Sequence, residues 1–389
     1  MLRKIVLLFF MISLSVAVNA YDIVIDGIYY ILDSDSQTAS VTLKEHKNGT
    51  YKSDYAGDVS IPESVVHQGV NYRVTAIGSH AFHGCQGLTA ISVPTSVRMI
   101  GHFAFVRCSN LKSVMLSEGL DTIRSGAFAQ CEALESIVIP NTVTAVHDHA
   151  FAGCVDLVSA TMGKGVTSIM NSVLTGCSSL TDIVLLGEIT EIGGMAFYCC
   201  TSLNAFNIPE SVEYVDYSAF EGCSGLLCIT IPRNIMQIGH NAFRLCYNIK
   251  DVYCYSPTVP LSSADIFGAY SDITCLDSAT LYVPQDAIPQ YISYSPWAYF
   301  FSVKPIEGQE TGIELVQSDF GASSCFSPNG QRLPHPQKGI NIINGKKVVV
   351  KCLPEGTPFV TLDGVERKLN SRNLMICNAE EPMCIAGVF

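Results

Sequence analysis

The feature that most constrains this chain is a cysteine that recurs every 23 residues. It fills eight successive positions with no insertion or deletion: Cys85, Cys108, Cys131, Cys154, Cys177, Cys200, Cys223 and Cys246. The residue three before each cysteine is phenylalanine, except for Leu174, and the residue three after it is leucine, except for Ile249. Two columns of mostly isoleucine and valine, which begin at Ile77 and Ile91, keep the same register. Such a fixed period is typical of repeat architectures, in which each unit packs on its neighbours.

Each repeat contains a short alternating segment, such as residues 91–94, whose apolar side chains would face inward on a strand. Several of these segments end in proline, which lacks an N–H group and suits the end of a ladder. The Ala-Phe segment on the other side of the coil predicts a turn or a short helix. The expected fold class is therefore an α/β repeat, a solenoid with one 23-residue rung per turn.

The unit Ile-Gly-x-x-Ala-Phe-x-x-Cys-x-x-Leu-x-x-Ile-x-Ile-Pro resembles the leucine-rich repeats of BspA-like bacterial surface proteins. The resemblance covers about residues 22–306 and implies a leucine-rich-repeat solenoid. Four glycines match the turn glycine of that family: Gly78, Gly101, Gly193 and Gly239. The fifth rung departs most, with Val173 and Leu174 in place of Ala-Phe and Leu186 in place of proline, so we expect it to be locally looser.

Outside the repeats, the pattern changes at both ends of the chain. Residues 1–20 have a positive start, an apolar stretch and small residues before Tyr21, as an export signal peptide does. The expected organisation is a signal peptide (1–20), a β-rich N-terminal cap with the first rung entry (21–76), eight leucine-rich repeats (77–258), a degenerate rung with a C-terminal cap (259–306), a linker (307–318), a small β module resembling sorting or attachment modules (319–351) and a tail of unknown role (352–389).

Composition excludes several classes of partner. Charged residues make up 15% of the chain, against about 25% in typical soluble proteins, and hydrophobic residues make up 48%. After the N-terminus, however, no stretch is long enough to span a bilayer. The net charge of −12 argues against nucleic acid, because phosphate binding needs a basic surface.

The cysteine column allows a metal, a disulfide or a packing interpretation. Structural zinc sites need pairs two to four residues apart, and this column has no such pairs. Stacked side chains point in parallel, so we predict buried free thiols that pack as small hydrophobic groups. Two other pairs, Cys254 with Cys275 and Cys377 with Cys384, could form disulfides in an oxidising compartment, and the sequence leaves both open.

No catalytic or cofactor motif emerges. The histidines form no metal-binding pattern, and the chain contains neither a nucleophile elbow nor a glycine loop for phosphate. We therefore expect no enzyme activity, no cofactor and no metal.

What remains is the surface of the coil. The outward residues of the main strand column are nearly uncharged: Ser92, Met115, Val138, Thr161, Val184, Asn207, Thr230 and Tyr253. We predict that this column contacts a protein partner, although β-propensity alone would also explain its Ser, Thr and Val content. Tyr214 and Tyr217 form a second candidate patch.

The expected function is that of a non-catalytic protein, exported to the cell surface or beyond, that binds another protein. The BspA-like resemblance implies adhesion to host matrix or cell-surface proteins. The alternatives are capture of a glycan or nutrient at the surface and a purely structural role in the envelope. Partner identity, oligomeric state and attachment route stay open.

Overall fold

A computed structural model of the protein describes residues 20–47, 49–268 and 274–306, and beyond these only the backbone of strands between residues 325 and 387. The expected signal peptide and linker therefore lie outside the described residues. The N-terminal strands are β1 (Ile23–Ile25), β2 (Ile28–Asp33), β3 (Thr38–Val41), β4 (Glu45–Lys47), β5 (Thr50–Lys52), β6 (Gly57–Ser60), β7 (Ser64–His67) and β8 (Val70–Ile77).

The repeats then alternate a main strand with a two-residue strand. In chain order they are β9 (Leu88–Val93), β10 (Met99–Ile100), β11 (Ser113–Leu116), β12 (Thr122–Ile123), β13 (Ser136–Val138), β14 (Ala145–Val146), β15 (Ser159–Met162), β16 (Ser168–Ile169), β17 (Asp182–Leu185), β18 (Glu191–Ile192), β19 (Ala205–Asn207), β20 (Tyr214–Val215), β21 (Cys228–Ile231), β22 (Gln237–Ile238), β23 (Asp251–Cys254) and β24 (Leu261–Ser262).

Short helices appear after the repeats, among further strands. They are the 3₁₀ helices Thr274–Ser278, Gln285–Ala287 and Trp297–Tyr299 and the single turn α1 (Ile288–Tyr291), which lie around β25 (Thr280–Val283) and before β26 (Ser302–Pro305). The remaining strands are β27 (Cys325–Phe326), β28 (Arg332–Leu333), β29 (Gly339–Ile343), β30 (Lys346–Lys351), β31 (Pro358–Val360), β32 (Glu366–Lys368), β33 (Leu374–Cys377) and β34 (Pro382–Gly387). Strand β30 pairs with β33, so segments 319–351 and 352–389 contribute to one sheet.

The main strands build the first hydrogen-bonded side of a solenoid. They form three parallel sheets in succession, β6–β9–β11, β13–β15–β17 and β19–β21–β23–β25–β26. Residues one repeat apart are register partners, as Ser92 is of Met115 and Val138 is of Thr161. We call the outward side of these sheets the strand face. The predicted solenoid is confirmed.

The two-residue strands build a second side. Ile77 pairs with Ile100 and Ile100 with Ile123, so the isoleucine column of the sequence is a ladder of inward side chains. The sheet of β16, β18, β20, β22 and β24 continues this side.

The Ala-Phe segments form the third side, and they are turns rather than helices. The amide of Phe105 donates to the carbonyl of Ala127 in the next rung at 2.7 Å, and the same contact recurs along the coil. Backbone hydrogen bonds thus join the rungs on three sides, which satisfies polar groups that one rung alone would leave exposed.

Stacked phenylalanine rings fill the core beside this side. Phe82, Phe105, Phe128 and Phe151 stack with centroids 4.6, 4.9 and 5.3 Å apart. Leu174 interrupts the stack in the fifth rung but is fully buried, and its amide donates to Ala196 at 2.9 Å. On this side the fifth rung stays closely packed, because leucine fills the space and the hydrogen bond to the next rung is kept. The strand ladders are interrupted beside the same rung, since among the described strands β14 does not pair with β16 and β17 does not pair with β19.

The four glycines that match the family's turn glycine each begin a turn, because their carbonyl accepts the amide of the alanine three residues later. They are not, however, the left-handed residues of the rung. The left-handed turn residues are instead two other positions per rung, exemplified by His80 (φ 59°) and Gly84 (φ 66°). A Cβ on Gly101 would lie 2.5 Å from the backbone nitrogen of Ser79, so glycine there permits close approach of two rungs.

Both ends of the apolar coil are covered. At the N-terminal end, Tyr55 is buried, and its hydroxyl donates to the carbonyl of Thr42 at 2.7 Å. At the other end, the only tryptophan of the sequence, Trp297, is fully buried and meets the rings of Phe267 and Tyr291 edge-on. Capping of this kind hides the apolar faces that a stack of repeats leaves at its ends.

Candidate functional site

The strand face carries the most exposed apolar side chains of the predicted column. Met115 and Val138 occupy the same position in successive rungs and are 67% and 63% exposed. Ser92, Thr161, Val184 and Tyr253 are partly exposed, and Asn207 is exposed. Within each sheet the register pairing sets the spacing of these side chains, while Met115 on β11 and Val138 on β13 lie at the facing edges of two successive sheets. Together the side chains form a nearly uncharged surface.

Thr230 does not belong to this open surface, although the sequence placed it there. Its side chain is only 6% exposed, and its sheet neighbour Cys228 is also buried. Thr230 lies in register with the much larger Tyr253 on the next strand, which explains why alternation alone misplaced it.

The C-terminal part of the strand face has a different chemistry. The rings of Tyr253 and Tyr282 stack with centroids 4.5 Å apart, and Lys304 is the register partner of Tyr282. Sequence reasoning missed Tyr282 and Lys304, because the insertion before β25 breaks the 23-residue count that had located the other residues.

The second predicted patch lies on a different sheet from the strand face. Tyr214 belongs to β20, and Tyr214 and Tyr217 are 42% and 45% exposed. The Tyr214 hydroxyl contacts the sulfur of Met236 at 3.4 Å, and Leu261 nearby on this side is 70% exposed. The structure therefore does not bring the two groups of predicted residues into one site.

The cysteine column forms no site for chemistry. All eight cysteines are buried and free, which confirms the predicted thiols. The Cys131 thiol donates to the carbonyl of Phe105 at 3.2 Å, a contact that recurs in neighbouring rungs. Burial raises the pKa of the Cys177 thiol to about 12, so the reactive thiolate is scarce at neutral pH.

The structure bears on only one of the two disulfide pairs that the sequence left open. Cys254 is a free thiol, 3.2 Å from the hydroxyl of Tyr291. The side chains of Cys377 and Cys384 lie outside the described residues.

Within the parts of the chain that the structure describes, no group of three or more His, Cys, Asp or Glu side chains could hold a metal ion. An exposed pair joins His240 Nδ1 to an Asp265 carboxylate oxygen at 2.6 Å, and Ser263 donates to the same carboxylate. Here the carboxylate lies between the hydroxyl and the imidazole, whereas a nucleophilic triad needs the imidazole in the middle. The described helices include none long and apolar enough to cross a membrane.

Comparison with known families identifies the repeat. Residues 63–181 and 167–276 match the BspA type leucine rich repeat region, in six copies. The match covers more than half of the chain, so the protein belongs to the BspA-type leucine-rich repeat family. Leucine-rich repeat solenoids of this kind point to protein–protein interaction.

Solved structures that are similar to this one include leucine-rich repeat proteins of bacteria. One, the leucine rich repeat protein of T. pallidum, is 26% identical and covers 59% of this chain and 90% of its own, with a TM-score of 0.41. A leucine rich cell surface protein from Faecalibacterium prausnitzii is 20% identical over 75% of this chain and 98% of its own, with a TM-score of 0.42.

A short segment resembles a different protein. The phenylalanine–tRNA ligase β subunit of Bacteroides fragilis is 74% identical over 49 residues, which are 13% of this chain and 6% of that subunit. The subunit of Bacteroides thetaiotaomicron is 77% identical over 47 residues, or 12% and 6%. Because the match spans so little of these enzymes, it transfers no ligase activity.

Proposed function

We propose that this protein is a non-catalytic binding protein, exported to the cell surface or beyond, whose strand face holds a protein partner. The observation that carries the proposal is the pair Met115 and Val138, two large apolar side chains that lie one rung apart and stay exposed. Exposed apolar side chains that cluster on a rigid surface are typical of protein contact sites. A host matrix or cell-surface protein is the proposed partner.

Location and organisation are part of this proposal. Residues 1–20 would direct export, residues 21–306 would form the capped solenoid, and residues 319–351 would serve sorting or attachment. The net charge of −12 and the small number of charges favour a partner recognised by shape and apolar contact rather than by phosphate.

Glycan capture is the second candidate. The stacked rings of Tyr253 and Tyr282 favour it, since these rings lie beside Asp251, with Asn207 two rungs away in the same column, and could contact a sugar. Burial of Trp297 in the cap weighs against it, because it removes the largest ring from the surface.

Replacing Met115, Val138 and Val184 together by lysine tests the strand face. We expect this variant to lose capture of purified extracellular-matrix proteins, because three ammonium groups would have to be desolvated in the contact. Capture is measured on an immobilised panel, and circular dichroism checks the fold.

The matched control places three lysines at Ile31, Val66 and Ile292, which are 48%, 63% and 53% exposed and lie away from the strand face. This control should bind as the unmodified protein does. Equal capture by both variants and the unmodified protein would remove the strand face as the site, and binding to a glycan array instead would favour the second candidate.

A further inference from the structure

The hairpin of β4 and β5 attaches to the solenoid in an unusual way. Its two strands pair with each other in a separate two-stranded sheet and join no other described sheet. The ring of Tyr51 contacts the first rung, where it stacks on His80 at a centroid distance of 3.7 Å and an angle of 9°. His46 stacks on Tyr51 at 4.7 Å and 4°. A column of rings therefore holds the hairpin in place.

The groups around this column become cationic when they take up a proton. The ring centroids of His83 and His80 are 5.6 Å apart. The positive charges of His83, His46 and His102 lower the pKa of His80, and the charge of Arg107 lowers the pKa of His83. The carboxylates nearby in sequence are paired elsewhere, Glu45 with Lys52 and Asp54 with Lys44.

His80 also lacks a partner for one nitrogen. Its Nδ1 atom is buried and has no hydrogen-bond partner. A proton added there would be a buried donor without an acceptor, which is a costly arrangement. Phe103 stacks at 5.5 Å on the rung beyond and offers no acceptor through its ring.

We propose that the β4–β5 hairpin is an acid-released clasp, which closes on the first rung at neutral pH and detaches locally when the histidines around Tyr51 become protonated. Release would uncover the rings of Tyr51 and His80 at the N-terminal end of the solenoid. The rest of the cap would stay in place, since Tyr55 is anchored independently by Thr42.

The direction of the pH effect follows from the two imidazoles. Burial, followed by the charges of neighbouring histidines, lowers the pKa of His80, and burial followed by Arg107 lowers the pKa of His83. A histidine with a lowered pKa in the closed state favours closure above its ordinary pKa of about 6.5. Closure weakens as the pH falls below that value, because the open state then binds more protons.

Hydrogen exchange of the full chain tests the clasp. We expect the amide protection of residues 45–47 and 49–52, corrected for intrinsic exchange, to fall between pH 7.5 and pH 5, because the open state binds more protons than the closed state in this range. The emission of Trp297, buried in the opposite cap, should stay constant. Unchanged protection, or loss accompanied by a change in Trp297 emission, would overturn a local release.

Substitution separates charge from packing. His80→Phe should keep the stack but lose most of the pH dependence, and phenylalanine is tolerated in this left-handed position, as Phe103 shows with φ 52° in the next rung. His149→Phe is the matched control, because His149 lies in the same column (φ 60°), three rungs beyond His80, and this variant should leave the pH dependence intact.

Phe103→His provides a second, independent variant. It adds a titratable ring to the cluster, so release should begin at a higher pH than in the unmodified protein. A clasp that responds to acid identically in all three variants would contradict the proposal.

Discussion

At the scale of the residue, the cysteine column shows how a repeat can use thiols without disulfides. From Cys108 onward, each cysteine of the column donates its S–H to the carbonyl of the phenylalanine or leucine 26 residues earlier, at 3.0–3.3 Å. That carbonyl also accepts a backbone amide, as Phe105 does from Cys108 at 3.1 Å. The thiol thus fills a small apolar space and adds a weak hydrogen bond between rungs.

Thiol labelling tests this account. In the native protein, Cys177 and Cys200 should resist an alkylating reagent at pH 8, because both are buried and only about one thiol in 10⁴ ionises when its pKa is about 12. Cys199, which is partly exposed, should react much faster. Peptide mapping by mass spectrometry reads each site, and labelling after denaturation gives the total. A denatured protein in which the ladder cysteines remain unlabelled would mean that they are oxidised.

At the scale of the element, each rung turns through two left-handed residues and one close contact with its neighbour. The residues equivalent to His80 are left-handed in all eight rungs: Phe103, Gly126, His149, Ser172, Met195, Ser218 and Asn241. Those equivalent to Gly84 are also left-handed in every rung: Arg107, Gln130, Gly153, Gly176, Cys199, Gly222 and Leu245. Side chains other than glycine occupy many of these positions. The strain at each is therefore tolerated because the ladders on three sides fix the backbone.

Two glycine substitutions separate turn strain from rung spacing. Gly84→Ala should cost about 1 kcal/mol, because φ is 66° but no atom lies within 4 Å of the new Cβ. Gly101→Ala should cost about 3 kcal/mol, because the new Cβ would press on the backbone of the preceding rung. Urea unfolding measures both, and a larger loss for Gly84→Ala would show that turn strain, rather than rung spacing, is limiting.

At the scale of the whole molecule, periodicity predicted the solenoid and the buried columns well, because a 23-residue count fixes which side chain each rung stacks on. It predicted less about the surface. Thr230 is buried although Met115 in the same column is open, since burial there depends on the size of neighbours such as Tyr253. The stack of rings at Tyr51 was not predicted, because Tyr51 belongs to a hairpin of the N-terminal cap and this hairpin lies outside the 23-residue repeats.

Site-specific photocrosslinking tests most directly whether the strand face contacts a protein partner. A photoreactive residue at Val138, one of the two residues of the exposed apolar pair, should crosslink to a captured matrix protein, and one at Ile292 in the C-terminal cap should not. Crosslinks from Ile292 with none from Val138, under conditions where the partner is bound, would contradict the account.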